Sequence, residues 1–201
     1  MQLGLAETLQ ILIGKDHTTE EGMALAKQIE TLFKKRCAEF KEQYKLNFGV
    51  YYTPAENLCY TAMKKFRLKY GVIPNVSDRD FFTNSMHVPV WHQISPFDKI
   101  DIESQLTGYS NAGCITYVEL EESVWKNIDA LETLVNYAMD KDIPYFAINV
   151  PNDKCPICGS THIQQLRRVT GYLTGNYKTA FNYGKQDEVH HRVKHVGEME
   201  K

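Results

Sequence analysis

Residues 114–150, CITYVELEESVWKNIDALETLVNYAMDKDIPYFAINV, decide the fold. Apolar residues cluster at 114–120 and again at 145–150, which predicts two short buried strands. Apolar residues between them recur every three or four positions and predict a helix over 128–139. We expect the inward face of this helix to carry Leu131, Leu134, Val135 and Ala138. Strands that alternate with helices are typical of the α/β class.

Upstream of this unit the alternation continues with two predicted helices. The TTEE stretch at 18–21 pairs an N-cap threonine with a glutamate three residues later, and it predicts a long helix that ends near residue 44. Alternating apolar residues at 46–52 predict a strand. The TPAE stretch at 53–56 repeats the start signal with proline in the first turn, so a second helix is expected to run to about residue 70.

The segment that follows the second helix has a mixed composition. Gly, Pro, Asn, Ser and Asp crowd residues 71–80 and predict a loop. Alternating apolar residues at 86–90 predict a short strand or an extended segment, and Pro89 would place such a strand at a sheet edge or at a bend. Residues 98–106 are expected to form another helix.

The composition excludes several classes of protein. The chain has 201 residues, 43% of them hydrophobic, which is enough for the core of one domain. Its net charge is −2, without the basic excess that binding to nucleic acid or to a membrane surface requires. There is no apolar run long enough for a membrane span and no secretory leader, and five cysteines are an odd number for a disulfide framework. We therefore expect a cytoplasmic protein in a reducing compartment, with no nucleic-acid or membrane partner.

The composition changes where a cysteine motif begins, and we place a boundary between residues 1–150 and 151–201. Cys155 and Cys158 form a C-x2-C motif, whose spacing allows two thiolates to share one zinc ion. Structural zinc takes four protein ligands, so further donors are required, and His162 is the nearest candidate. Two other interpretations stay open, namely a pair of reduced thiols in a loop and a redox-active pair.

Three further motifs follow the cysteines: RRVTGYLTGN at 167–176, FNYGK at 181–185 and EVHHRVKH at 188–195. In this order they resemble the glycyl-radical end of the anaerobic, class III ribonucleoside-triphosphate reductases. Stretches similar to the same family lie upstream, in family order and at compatible spacing, so the resemblance covers nearly the whole chain. They are TPAE at 53–56, FTNS at 82–85 with His87, SPF at 95–97 and GCI at 113–115.

The resemblance implies a fold in two parts. Residues 1–150 would be the C-terminal part of the α/β barrel of a glycyl-radical enzyme, and residues 151–201 would hold a cysteine knuckle, the glycyl-radical loop and a C-terminal helix. Gly171 would be the glycine that stores the radical. Glycine suits this role because its Cα has no side chain, so a radical there is shared between the flanking amide nitrogen and the carbonyl. Without its neighbours, Gly171 would be assigned to a turn or a bulge.

The resemblance also implies an oxidoreductase activity that needs partners. A separate activating enzyme, which uses S-adenosylmethionine and an iron–sulfur cluster, would abstract a hydrogen atom from Gly171. The reaction would be the reduction of ribonucleoside triphosphates to 2′-deoxyribonucleoside triphosphates for DNA synthesis, with formate or a thiol system as reductant. The ATP-binding regulatory region and the loop with the thiyl-forming cysteine are not expected on this chain, so an N-terminal reductase portion would be required. We expect the assembled enzyme to be a homodimer.

Two departures from the family pattern keep another interpretation open. The family usually places two C-x2-C pairs before its radical loop, whereas this chain has one pair, formed by Cys155 and Cys158. The family also supplies the nucleotide-regulatory region, and no phosphate-binding glycine loop of the Walker or dinucleotide type occurs here. The alternative is a non-catalytic remnant or a spare glycyl-radical or zinc-knuckle protein that binds a partner reductase.

Other residues capable of chemistry are assigned structural roles. Cys114 and Cys59 are expected to be buried and inert, and Glu56 to cap a helix. His191 and His195 stand four residues apart on the predicted C-terminal helix, where a pair at this spacing can bind a metal. A solvated basic face is the alternative interpretation of that helix.

Overall fold

The structure is a computed structural model, and it describes residues 2–52, 56–151, 154–155, 157–163, 167–169 and 172–196. Helices and strands alternate through these residues. The helices are α1 (Leu5–Ile13), α2 (Glu20–Tyr44), α3 (Glu56–Tyr70), α4 (Pro96–Thr107), α5 (Ile128–Asp140), α6 (Tyr177–Ala180) and α7 (Tyr183–His191), with a short 3-10 helix at Glu122–Lys126. The strands are β1 (Thr116–Glu119), β2 (Phe146–Asn149), β3 (Arg167–Val169) and β4 (Tyr172–Thr174).

The strand–helix–strand unit forms as its sequence predicts. β1 and β2 pair in parallel with Thr116 opposite Phe146, and α5 connects them. Because the strands are parallel, their carboxyl ends at Glu119 and Asn149 lie side by side at one edge of the sheet. That edge is where the candidate site is found.

A hydrophobic core lies between this sheet and the helices α4 and α5. Its buried members are Ile100, Val118, Leu120, Val124, Leu134, Ala138 and Ile143. The predicted inward face of α5 is confirmed for Leu134 and Ala138, and Leu131 packs beside them at partial burial. It is wrong for Val135, which is 39% exposed because only a narrow stripe of α5 contacts the core.

A second core joins α1 to α2. Thr19 caps α2, since its hydroxyl accepts a hydrogen bond from the N–H of Gly22 at 3.1 Å. Ala26 of α2 is buried in the same cluster as Leu5 of α1. The predicted long helix is therefore confirmed, whereas α1 has no predicted counterpart.

Two more helices confirm their predictions. α3 ends at Tyr70, while residues 53–55 of its start signal and the side chain of Glu56 lie outside the described residues. α4 covers the predicted stretch 98–106 and extends slightly beyond it at both ends. Its first turn is capped by Ser95, whose hydroxyl accepts a hydrogen bond from the backbone at 3.0 Å. None of the helices in the described ranges has the length and apolarity to span a membrane.

Two predicted strands do not form. Val50 and Tyr52 make backbone hydrogen bonds to Asn111 and Gly113, and Tyr51 makes one to Gln2, but these bonds do not form a strand ladder. Close to residues 86–90 the structure has an isolated bridge between Leu3 and Asn84. Alternating apolar residues make a strand only where a neighbouring strand supplies a ladder, and none lies beside these two stretches in the part of the chain that is described.

A β-hairpin opens the C-terminal part. β3 and β4 pair in antiparallel fashion, with Val169 opposite Tyr172. Counting only the residues that the structure describes, the strands form two separate sheets of two strands each. The α/β class is therefore confirmed, and the complete barrel and the radical loop stay predictions.

The C-terminal helix differs from its prediction. α7 ends at His191, and the chain leaves it in an extended conformation at Arg192, with φ −64° and ψ 127°. The prediction that His191 and His195 share one helix is therefore wrong, and so is the metal pair at helical spacing. The solvated basic face is wrong for Arg192 and His195, whose side chains are largely buried, whereas Lys194 is exposed. Partners distant in the sequence bind the two buried side chains, as the site shows.

Candidate functional site

The two strands of the hairpin flank Gly171, the proposed radical residue, in the sequence. β3 ends at Val169 and β4 begins at Tyr172, so Thr170 and Gly171 are the two residues between paired strands. Both of them lie outside the described residues. The structure shows instead how the strands of the hairpin are held, and the residues that hold them form the candidate site.

A buried arginine joins the hairpin to the parallel sheet. Nη1 of Arg192 donates to the backbone carbonyl of Arg168 in β3 at 2.8 Å and to Oε1 of Glu119 in β1 at 2.6 Å. Nη2 donates to Oε1 of Glu188 in α7 at 2.9 Å. The side chains of Arg192, Glu119 and Glu188 are 9%, 7% and 4% exposed. A guanidinium presents a planar fork of donors, so one side chain can bind all three acceptors at once.

Arg192 keeps its charge in this buried position. Burial alone would lower the pKa of Arg192, but the carboxylates of Glu119 and Glu188 raise it above its usual range. The ring of Tyr117 lies beside the guanidinium, with 5.1 Å between the ring centroid and Cζ. Burial raises the pKa of Tyr117, so the phenol stays protonated. The arginine thus faces two anions and one neutral aromatic ring.

A second buried ion pair also contacts Tyr117. Nζ of Lys99 lies 5.0 Å from the ring centroid and donates to Oε1 of Glu103 on the same helix. Nδ1 of His87 is 3.3 Å from that oxygen, and its ring centroid is 4.9 Å from that of Tyr117. Burial opposes ionisation of Glu103, but Lys99 and His87 hold the pKa of its carboxyl below the usual range. Tyr117 therefore connects two charged clusters.

The residues after α7 run along the carboxyl end of β1. The N–H of His195 donates to the carbonyl of Glu119 at 2.7 Å, and the N–H of Glu119 donates to Nδ1 of His195 at 2.9 Å. The N–H of Val193 donates to the carbonyl of Val90 at 3.0 Å. His195 must be neutral at Nδ1 to accept a hydrogen bond. Burial, together with the charge of Lys99, lowers the pKa of His195 to about 3, which keeps the imidazole neutral.

A cleft of about 500 Å³ opens beside this junction. Its walls come from the carboxyl end of β2, from β3, and from α7 with the residues that follow it. The lining includes the side chains of Arg168, Lys194, His190 and Asn149. These donors suit an anionic or carbonyl-bearing group. The cleft therefore gives the base of the hairpin a polar, solvent-accessible side.

The C-x2-C motif forms a tight turn. The N–H of Cys155 donates to the carbonyl of Ser160, and the N–H of Gly159 donates to the carbonyl of Cys155, both at 2.8 Å. Gly159 has a φ of 70°, a conformation that favours glycine. Hydrogen bonds from the backbone N–H groups of Cys158 and Ile157 lower the pKa of the Cys155 thiol. The turn therefore favours a thiolate, the form in which cysteine binds zinc.

The turn by itself does not complete a metal site. Searching the described residues finds no group of three His, Cys, Asp or Glu side chains arranged to hold a metal ion. His162 is exposed, and its N–H donates to Oγ of Ser160 at 3.1 Å. Four-coordinate zinc would need two donors in addition to Cys155 and Cys158.

The cysteines assigned structural roles are buried, as predicted. Cys114 is 7% exposed, and burial raises the pKa of its thiol to about 12. Cys59 is 1% exposed, and its Sγ lies 3.1 Å from Oδ1 of Asn84. A buried protonated thiol is a poor nucleophile, so Cys114 is inert at neutral pH.

Sequence reasoning missed Arg192 and Glu119 as parts of the site. The EVHHRVKH motif contains Arg192, but its alternation of charges is also typical of an exposed helix. The sequence of β1 contains a feature that indicates a buried ion pair, because Glu119 is the acidic residue in an otherwise largely apolar stretch. Acidic side chains in buried strands are rare unless they are paired, and Arg192 is the buried cation that pairs with Glu119.

Comparison with known proteins places the chain among reductases. The sequence model of anaerobic ribonucleoside-triphosphate reductase matches residues 2–195. The chain is 36% identical to the anaerobic ribonucleoside-triphosphate reductase of Enterobacteria phage T4, over 96% of this chain and 34% of that protein. It is 34% identical to the enzyme of the same name from Escherichia coli (strain K12), over 97% of this chain and 30% of that protein. The chain thus spans about a third of the length of these curated relatives.

Solved structures show the same fold. An anaerobic ribonucleotide reductase superposes with a TM-score of 0.79 at 20% identity, over 97% of this chain and 33% of that one. The anaerobic ribonucleotide reductase from Thermotoga maritima in complex with dATP and CTP superposes with a TM-score of 0.69 at 20% identity, over 86% of this chain and 30% of that one. At this identity the likeness establishes the fold. Since the sequence match covers nearly the whole chain, the protein belongs to the anaerobic ribonucleoside-triphosphate reductase family.

Proposed function

We propose that this chain is the radical-bearing C-terminal portion of an anaerobic ribonucleoside-triphosphate reductase and that Gly171 stores the radical. The observation that carries the proposal is the family match over residues 2–195, which includes the RVTGY stretch at 168–172. The pairing of β3 with β4 supports it, because these strands flank Gly171 in the sequence. The buried cluster around Arg192 supports it further, because it holds β3 by a backbone hydrogen bond.

The proposed chemistry requires one hydrogen atom to leave Cα of Gly171. The C–H bond breaks homolytically, the hydrogen atom passes to an activating enzyme that uses S-adenosylmethionine and an iron–sulfur cluster, and the unpaired electron stays on the glycine. A side chain at this Cα would crowd the planar radical centre. The chain's own residues contribute position and the exclusion of water and oxygen, while the radical-generating chemistry belongs to the cofactor of the activating enzyme.

The remaining part of a reductase would complete the enzyme. This chain spans about a third of its curated relatives, so we propose that the other two thirds supply the thiyl-forming cysteine, the regulatory nucleotide site and the rest of the barrel. The assembled homodimer would remove the 2′-hydroxyl of ribonucleoside triphosphates, with formate or a thiol system as reductant. All five cysteines of this chain are free, which suits a cytoplasmic location.

Electron paramagnetic resonance tests the proposal. The chain is combined anaerobically with the remaining portion of a homologous reductase and its activating enzyme, and Gly171→Ala and Gly175→Ala are measured beside it. Gly175 is a matched control, because a Cβ there would meet no atom within 4 Å. We expect a glycyl doublet in the unmodified chain and in Gly175→Ala and none in Gly171→Ala. A doublet that persists in Gly171→Ala overturns the proposal, as does silence of the unmodified chain with the partner shown to be bound.

We also propose that Cys155 and Cys158 are two ligands of a zinc ion, with His162 the nearest further donor in the sequence. The support is the tight turn and the N–H groups that favour a Cys155 thiolate. Metal analysis of the assembled protein should find zinc that Cys155→Ser removes and Cys37→Ser leaves in place. Absence of zinc from the unmodified protein would remove this proposal and leave the radical proposal standing.

A further inference from the structure

We infer that Arg192 is a positioning residue for the radical, because its guanidinium holds β3, and with it the hairpin that contains Gly171, against the parallel sheet. The inference rests on the proposed function, and it assigns a role to a residue outside the RVTGY stretch.

The anchor of Arg192 is rigid. Oε1 of Glu119, which accepts from Arg192, also accepts from Nδ2 of Asn149 at 3.0 Å, so the carboxylate is tied to both strands of the parallel sheet. The backbone N–H of Glu119 donates to Nδ1 of His195, and its carbonyl accepts from the N–H of His195. A guanidinium fixed to such a carboxylate has little freedom to move. The side chain of Arg192 therefore attaches the hairpin to a carboxylate that is itself tied to both strands of the parallel sheet.

The fork of the guanidinium makes arginine necessary here. Nη1 donates to the Glu119 carboxylate in β1 and to a carbonyl of β3. Nη2 donates to the carboxylate of Glu188, which lies four residues before Arg192. Glu188 therefore orients the guanidinium from within its own segment. Lysine offers a single compact ammonium and cannot reproduce this planar arrangement of donors. Charge-assisted hydrogen bonds of this kind are about twice as strong as neutral ones.

The anchored carbonyl is close to the glycine along the chain. Arg168 precedes Gly171 by three residues in the sequence, and Val169, the last residue of β3, precedes it by two. We therefore expect a shift of β3 to displace Gly171. The acceptor is a backbone carbonyl, so the contact depends on the position of the strand and not on the side chain of Arg168.

The test compares substitutions of Arg192 in the assembled enzyme. Arg192→Gln removes both the positive charge and the planar set of guanidinium donors. Arg192→Lys keeps the charge but lacks the planar set of donors. The double variant Arg192→Gln with Glu188→Gln avoids leaving the Glu188 carboxylate unpaired. Arg36→Gln is the control, because Arg36 forms an exposed ion pair with Glu39 on α2. Each variant is examined by hydrogen exchange of the β3 and β4 amides and by the number of glycyl-radical spins per chain.

We expect the hairpin amides of both Arg192→Gln variants to exchange about tenfold faster, as the loss of one charge-assisted hydrogen bond implies, with α2 unchanged. The spin count should fall several-fold and the radical should decay faster, and Arg192→Lys should recover only part of both. Hairpin exchange and spin counts equal to those of Arg36→Gln would overturn the inference. If Arg192→Gln also accelerates exchange in α2, this variant is destabilised as a whole. The exchange and the spin count of the double variant then test the inference. If the unmodified chain forms no radical, the proposed function fails, and exchange alone decides the role of Arg192.

Discussion

Two buried clusters of this chain pair a cationic side chain with carboxylates. Lys99 is bound to Glu103, and Arg192 is bound to Glu119 and Glu188. Removal of one partner leaves a desolvated charge unpaired, which typically costs about 3–5 kcal/mol. Substitutions here are therefore best made in pairs, so that an effect on the site can be separated from a loss of stability.

His195 should make stability depend on pH. Its native pKa is about 3, against an ordinary value of 6.5, because burial and the nearby Lys99 and Arg192 outweigh the attraction of Glu103. Below pH 6.5 the unfolded imidazole therefore binds a proton that the native one does not, and the free energy of unfolding falls. The loss attributable to His195 should reach about 2 kcal/mol by about pH 5.

Denaturant titrations at neutral pH and at about pH 5 measure this loss. His195→Gln should lose less stability on acidification than the unmodified chain. His162→Gln is the control, because His162 is exposed, and it should behave like the unmodified chain. Equal losses in His195→Gln and in the unmodified chain would contradict the assignment of a neutral, buried His195.

Two cysteines should differ strongly in reactivity. The backbone N–H groups of Cys158 and Ile157 lower the pKa of Cys155, whereas burial raises the pKa of Cys114 to about 12. Once a chelator has removed any bound zinc, iodoacetamide at neutral pH should therefore modify Cys155 well before Cys114, as peptide mass spectrometry can follow. Unfolding in denaturant should bring the two rates together. Equal rates in the native protein would show that the turn does not activate Cys155.

The residues that could be predicted from the sequence are those whose neighbours in the chain decide their environment. The prediction that Cys114 is buried is correct, because Cys114 enters an apolar strand. The sequence does not predict the buried position of Arg192, because its sequence neighbours are polar while its partners Glu119 and Arg168 are 73 and 24 residues away. Contacts between residues so far apart do not produce a periodic pattern in the sequence, so they cannot be predicted from it.

At the scale of elements, α7 is held against α3 by a close approach. A Cβ on Gly184 would lie 2.6 Å from Cβ of Tyr60 and 2.7 Å from the carbonyl of Asp80. Gly184→Ala should therefore push α7 away from α3 and cost about 1–3 kcal/mol of unfolding free energy. Gly175→Ala, which has open space around it, should cost much less. Thermal or denaturant unfolding measures both, and equal stability of the two variants would contradict the close packing.

The cap of α5 should be worth a measurable amount of stability. Oδ1 of Asn127 accepts a hydrogen bond from the N–H of Ala130 at 3.1 Å. Asn127→Ala should lower the free energy of unfolding by about 1 kcal/mol. Asn136→Ala is the matched control, since Asn136 is exposed inside the same helix and alanine favours helix there by up to about 0.7 kcal/mol. A loss of stability in Asn136→Ala as large as that in Asn127→Ala would argue against the cap.

Elements were predictable where local pattern and tertiary packing agree. α2 and α5 carry both a cap and an apolar stripe, and both form as predicted. Residues 46–52 alternate like a strand but have no neighbouring strand, and α7 stops early because Arg192 turns toward the sheet. A strand or a helix end that depends on a distant partner cannot be located from its own residues.

At the scale of the whole molecule, the end of α2 and the residues that follow it expose an aromatic patch. Phe40, Tyr44 and Phe48 are 40%, 55% and 38% exposed, and their rings lie within 5.8–6.1 Å of one another. Exposed apolar clusters of this kind promote association. This chain spans about a third of its relatives, and we expect the patch to be covered when the reductase is assembled.

The isolated chain should therefore self-associate through this patch. Sedimentation velocity over a range of concentrations should show larger species in the unmodified chain and a monomer in the double variant Phe40→Ser with Phe48→Ser. Leu68→Ser is the control, because Leu68 is 87% exposed on α3 and lies outside the patch. A compact monomer at every concentration in the unmodified chain would rule out this role for the patch.

The central claim is that Gly171 carries the radical, and the mass of the chain after exposure to oxygen tests it most directly. Oxygen adds to a carbon-centred backbone radical and breaks the chain at that residue. The activated, assembled enzyme should therefore yield a fragment that ends next to Gly171 after brief exposure to air, and Gly171→Ala should remain intact while Gly175→Ala is cleaved. An unmodified chain that stays intact after activation, or that breaks equally in Gly171→Ala, would contradict the account.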